Sequence, residues 1–136
     1  MPRNRILVLA LAPFIALTAC KKDSAVQETI DLLDKHGKEI TTKVTSASDK
    51  KAGVADAQKY IDSNKDDIAK RIKEMGELKG FQVSEEMQSK MASSLVDAAF
   101  MCSKIQVDLM AATMEDKDLD DALNKLCKTW DDAVKI

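Results

Sequence analysis

From Val26 onward the apolar residues fall at alternating steps of four and three: Val26, Ile30, Leu33, Gly37, Ile40, Val44 and Ala47. At 3.6 residues per turn this spacing draws one stripe down one side of a helix. Asp23 or Ser24 stands where an N-cap is needed, and Ser24 with Gln27 has the spacing of a capping box. The run SASDKKAG, Ser46 to Gly53, breaks the stripe and reads as a loop. Val54, Ala57 and Ile61 then resume a helical pattern, as do Ile68, Ile72 and Met75. The polar DSNKDD between them, with Ser63 as a candidate cap and Asp66 and Asp67 in the following turn, predicts two short helices or one kinked helix. Gly80 is expected to stop the chain.

Ser84, followed by Glu85 and Glu86, opens the longest predicted helix. Its stripe is Met91, Leu95, Ala98, Cys102, Ile105, Leu109 and Ala112, flanked by Met87, Phe100 and Met101. MEDKD then turns the chain. Asp118 is placed to cap a last helix carrying Leu119, Leu123, Leu126, Trp130 and Val134. The pattern predicts an all-α fold, a small bundle of four or five helices with a C-terminal helical hairpin. Composition agrees with it: beyond Pro13 there is no proline, and strand-forming residues are too scattered to build a sheet.

The first twenty residues have a different pattern. Arg3 and Arg5 precede an apolar segment, Ile6 to Ala16, about half as long as a hydrocarbon core of roughly 30 Å requires. A basic start, a short apolar middle and small residues near a cut are the parts of an export signal. Bulky Leu17 sits badly for ordinary signal peptidase cutting after Ala19. However, Leu17-Thr18-Ala19-Cys20 resembles the lipobox of bacterial lipoproteins. That resemblance implies a diacylglyceryl group on the Cys20 sulfur, cleavage before Cys20 and acylation of the new amine. Residues 1–19 are then a signal peptide, 20–23 a lipidated anchor and 24–136 a helical domain. Lys21, where an aspartate would retain such a protein at the inner membrane, implies the periplasmic face of the outer membrane in a Gram-negative cell. The alternatives are an uncleaved anchor and a plain secretory signal.

Cleavage leaves about 117 residues, an ordinary size for one domain. It also makes the net charge of −2 two units more negative, by removing Arg3 and Arg5. Nothing in that balance calls for nucleic acid. Cys102 and Cys127 lie at comparable numbers of turns from a hairpin bend near Glu115 to Lys117, so helical rise brings them to one height. In an oxidising compartment the expectation is a structural disulfide, with two free thiols or a redox pair as alternatives. The separation is wrong for a C-x-x-C redox motif.

Other chemistry is thinly supported. Asp116, Asp118 and Asp120 alternate like EF-hand ligands, but Asp121 and Cys127 stand where that loop needs glycine and glutamate. Met87 with Met91, and Met110 with Met114, have the i, i+4 spacing of a thioether face for Cu(I), although methionine more often fills cores. His36, the lone histidine, is expected to be exposed, and no C-x-x-C-H haem motif accompanies it. There is no G-x-S-x-G or H-E-x-x-H, so no catalytic set, metal or cofactor is assigned.

The first helix, joined to the lipid by three residues, has two courses: packing in its own bundle or zipping with copies of itself. The second resembles Braun-type murein lipoproteins, which end in a lysine joined to the cell wall; here Ile136 follows Lys135, and Gly37 interrupts the stripe, so packing within the bundle is expected. The sequence thus reads as a non-catalytic, membrane-anchored lipoprotein presenting a helical surface to an envelope protein. Its alternatives are an inhibitor or immunity protein against a toxin or wall hydrolase, and a metal or haem carrier. Oligomeric state stays open.

Overall fold

The computed structural model describes residues 22–135. The leader, Cys20 and Lys21 lie outside the described residues. Five α-helices follow one another: α1 Asp23–Ser46, α2 Lys50–Gly76, α3 Glu85–Asp108, α4 Met110–Glu115 and α5 Lys117–Val134. A 3-10 turn, Gly80–Gln82, lies between α2 and α3, and no strand occurs among the described residues. The expected all-α bundle with a C-terminal hairpin is the fold observed.

Of the first stripe Val26, Leu33, Ile40 and Val44 are in the core, whereas Ile30, Gly37 and Ala47 are half-buried and Thr29 and His36 complete the buried face. The helix has no side-chain cap, however. Asp23 is its first residue, and its carboxylate accepts from Ser84 N at 2.9 Å, at the start of α3. Hydrogen bonding from Ser84, by its side chain first and its backbone amide second, holds the Asp23 carboxyl below its ordinary range. The loop expected over Ser46–Gly53 contracts to 47–49, because Asp49 caps α2 by accepting from Ala52 N. Gly53 is thereby helical, and it is buried against α1: a Cβ there would lie 2.5 Å from the Lys43 carbonyl oxygen.

No break occurs at DSNKDD. α2 runs unbroken for 27 residues. Ile61 and Ile68 are seven residues apart, about two turns, so both stay on the buried side while the polar residues between them cover the solvent side. Ser63 is no cap; its hydroxyl donates to Lys59 O, and Asn64 Nδ2 donates to Tyr60 O, both one turn back along the helix. The helix ends at Gly76, short of Gly80.

Ser84 does cap α3, accepting from Met87 N. At Leu109 the backbone leaves helical angles briefly before α4. Asp116, rather than Asp118, caps α5 by accepting from Leu119 N. Three cross-links then set the hairpin antiparallel. Trp130 Nε1 donates to Ala98 O at 2.8 Å, Cys102 stands opposite Cys127 with Cα atoms 5.5 Å apart, and Gln106 Nε2 donates to Asn124 Oδ1. The cysteines are therefore at disulfide distance, as the hairpin register requires.

The four long helices form a ring in which α1 packs on α2 and α3, and α5 packs on α2 and α3. Contacts fix the directions. Asp23 lies by Ser84, and Gly37 by Met101, so α1 and α3 run parallel. Lys51 pairs with Asp116 at 2.9 Å and Gln58 bonds Thr129, so α2 and α5 also run parallel. Consecutive α2 and α3 are consequently diagonal in the ring. Residues 77–84 must cross the end of the bundle to join them, at the end where α1 begins.

Candidate interaction surface

α3 is apolar on two sides. Ala98, Cys102 and Ile105 face the core, but Val96, Phe100 and Val107 are exposed, and Met110 and Met114 of α4 continue the same spacing. The steps are four, seven, three and four residues, with Ser103 filling the gap. At 3.6 residues per turn Val96, Phe100 and Val107 lie about 170° round α3 from Ala98, Cys102 and Ile105. Met114 is 82% exposed. Five large exposed apolar side chains spaced along two consecutive helices are a candidate binding face, whereas isolated exposed ones are ordinary. Core stripe and outer stripe have the same period, so a reading that follows one stripe per helix leaves the other out; of this row the sequence singles out Phe100 as a flanking residue and Met110 with Met114 as a thioether pair, but not the row itself.

Beside the row, an open groove of about 680 Å³ runs between the parallel α1 and α3. Its floor includes Leu33, Gly37, Met101 and Trp130, and its α3 wall carries Ser93, Asp97 and Lys104. Asp97 and Lys104 stand between groove and row, so opposite charges border the row on that side. Gly37 opens the groove: a Cβ there would lie 3.5 Å from Met101 Sδ and 4.0 Å from the Trp130 ring. Small facing residues such as Thr41 and Ser93 leave the space unfilled.

The remaining candidates fall in different places. His36 is buried, contrary to expectation, because it faces α2, where its Nδ1 hydrogen-bonds the Tyr60 hydroxyl at 2.7 Å. Burial, with Lys35 adding to it, holds the imidazole below its ordinary pKa of 6.5. Burial likewise raises the Tyr60 phenol. The pair fastens α1 to α2, and Lys43 Nζ lies 5.5 Å over the Tyr60 ring.

Asp116 and Asp118 both reach Lys51, at 2.9 and 3.6 Å. That lysine, followed by the Leu119 amide, holds the Asp116 carboxyl below its usual range. Among the described residues no group of three or more His, Cys, Asp or Glu side chains is placed to hold a metal ion. Met110 and Met114 belong to the exposed row, whereas Met87 and Met91 are half-buried against the core, so the two thioether pairs do not converge. Cys102 and Cys127 come together in the core. Cys20 lies outside the described residues, and no described helix is long and apolar enough to cross a membrane.

The chain matches no family model, and no curated protein or solved structure matches it.

Proposed function

We propose that this protein is a lipoprotein of the cell envelope, anchored by lipid on Cys20, whose bundle serves a non-catalytic role by offering the outer row of α3 and α4 to a partner protein. The exposed row Val96, Phe100, Val107, Met110 and Met114 carries this reading. Leaving such side chains in water forgoes about 1.5–3 kcal/mol each relative to full burial, and the bundle closes without them. Asp97 and Lys104 along its edge supply the polar rim that orients a partner on an apolar centre. An inhibitor of a toxin or wall hydrolase would use the same surface, and the identity of the captured protein separates it from a scaffold.

Two measurements test the two halves. Palmitate labelling of cells should mark the polypeptide, and Cys20→Ser should abolish the label. Crosslinked capture from its own cells should recover a partner with the intact lipidated protein and at least tenfold less with a Phe100→Ser, Val107→Ser double variant, consistent with loss of two central anchors. Both side chains are exposed, so the melting temperature should hold. Equal recovery by the double variant would remove the row from the reading.

A further inference from the structure

The segment that crosses the bundle end presents one large apolar side chain to solvent. Phe81 is 79% exposed, while Val83 two residues on is 7% exposed and Leu78 is half-buried on the core. The turn beneath it is braced. Gln82 N donates to Lys79 O at 2.8 Å, and Lys79 N donates to Gln82 Oε1 at 2.8 Å. Gln88 Nε2 donates to both Gly80 O and Val83 O at 2.9 Å. Phe81 is therefore held outward by a fixed platform.

That platform lies where the chain enters the bundle. Ser84 N is bonded to Asp23, and Lys22 and Gln82 line one cleft between the start of α1 and the end of α2. Cys20 precedes Lys22 by two residues, at most about 7 Å of extended chain. Phe81 precedes Ser84 by three, at most about 11 Å. Lipid on Cys20 would thus bring the bilayer surface to the end of the bundle that presents Phe81.

We infer that Phe81 inserts into the interfacial layer of the phospholipid bilayer that holds Cys20, so that the bundle stands end-on with two points of contact. This rests on the lipoprotein reading above. At a membrane surface Phe, Trp and Leu side chains bury about 5–10 Å into the boundary between headgroups and acyl chains. Charge does not drive the contact: Lys22 and Lys79 at this end are accompanied by Glu77, Glu85 and Glu86. Insertion should therefore occur on zwitterionic phosphatidylcholine and persist in salt, unlike binding by a polybasic patch.

The test uses intact lipidated protein in phosphatidylcholine vesicles with or without bromine on the acyl chains. Wild type has a single tryptophan, the fully buried Trp130, which gives the baseline. With Phe81→Trp, bromolipid should remove the added emission and water-soluble iodide should not. With Phe100→Trp the pattern should reverse. Iodide quenching of the residue-81 indole without bromine quenching overturns the insertion, and leaves that end to a protein partner. Bromine quenching at position 100 overturns it too, since the molecule would then lie on its side. Mass analysis of the Cys20 peptide separates the two failures. Lipid present without insertion sinks this inference alone, and lipid absent sinks the anchor and the insertion together.

Discussion

Single residues differ most where the same residue type meets different surroundings. Gly37 and Gly53 both lie inside helices, and both weaken them by up to about 1 kcal/mol relative to alanine. At Gly37 an added methyl meets only ordinary contacts at 3.5 and 4.0 Å. Gly37→Ala should therefore raise stability by about 0.5–1 kcal/mol in chemical denaturation. At Gly53 the methyl would sit 2.5 Å from Lys43 O and 2.6 Å from the Ala47 Cβ, which forces α1 and α2 apart. Gly53→Ala should cost about 1–3 kcal/mol from overpacking. Equal effects at the two sites would refute this account of the α1–α2 contact. Sequence shows both glycines but not what faces them, so Gly53 read as loop.

His36 makes the same point about charge. Its pKa lies below 6.5 in the folded protein, so the unfolded chain binds its proton first as pH falls. The stability due to the neutral, buried imidazole is complete above pH 6.5 and is lost as pH falls through the lowered folded value. Urea midpoints measured from pH 7.5 down to 5 should fall for wild type and fall less for His36→Gln. A histidine titrating by NMR at or above 6.5 would contradict the burial. Next to Gly37 in a polar stretch, His36 gave no sign of Tyr60 opposite it, because that partner is 24 residues away.

At the scale of elements, periodicity is legible wherever one face is buried. Val26, Leu33, Ile40 and Val44 of the α1 stripe and Leu119, Leu123, Leu126 and Trp130 of the α5 stripe are in the core, while Ile30, Gly37, Ala47 and Val134 are half-buried. Ser84 is the cap that its Glu-rich first turn suggests. The polar run in α2 misleads because capping residues are also good solvent-facing residues, and seven-residue spacing from Ile61 to Ile68 carries the core face across it. The hairpin is legible too, since Cys102 and Cys127 lie nearly symmetrically about Asp116. Their pairing should close a 25-residue separation and stabilise the fold by about 3–4 kcal/mol in the chain-entropy model. Non-reducing peptide mapping should find the two cysteine peptides linked, and a reductant should lower the melting temperature. Both thiols alkylating freely in native protein would reject the link.

For the whole molecule, what sequence spacing withholds is the order of helices in the ring. Short connections suggest antiparallel neighbours, and that holds for α1 with α2 and for α3 with α5. The diagonal relation of α2 and α3 depends on tertiary contacts such as Asp23 with Ser84 and Lys51 with Asp116, far apart in sequence. The outer row is likewise visible only once the core side of α3 is known.

The parallel run of α1 and α3 has a consequence for reach. With lipid at Cys20, both helices would start near the bilayer, and rise along α3 would set the altitude of every residue on it. At 1.5 Å per residue Val96 would stand about 18 Å above the level of Ser84, and Val107 about 35 Å. Docking would then be confined to a shelf of fixed elevation, admitting only partners whose own complementary patch hangs at that distance from the lipid.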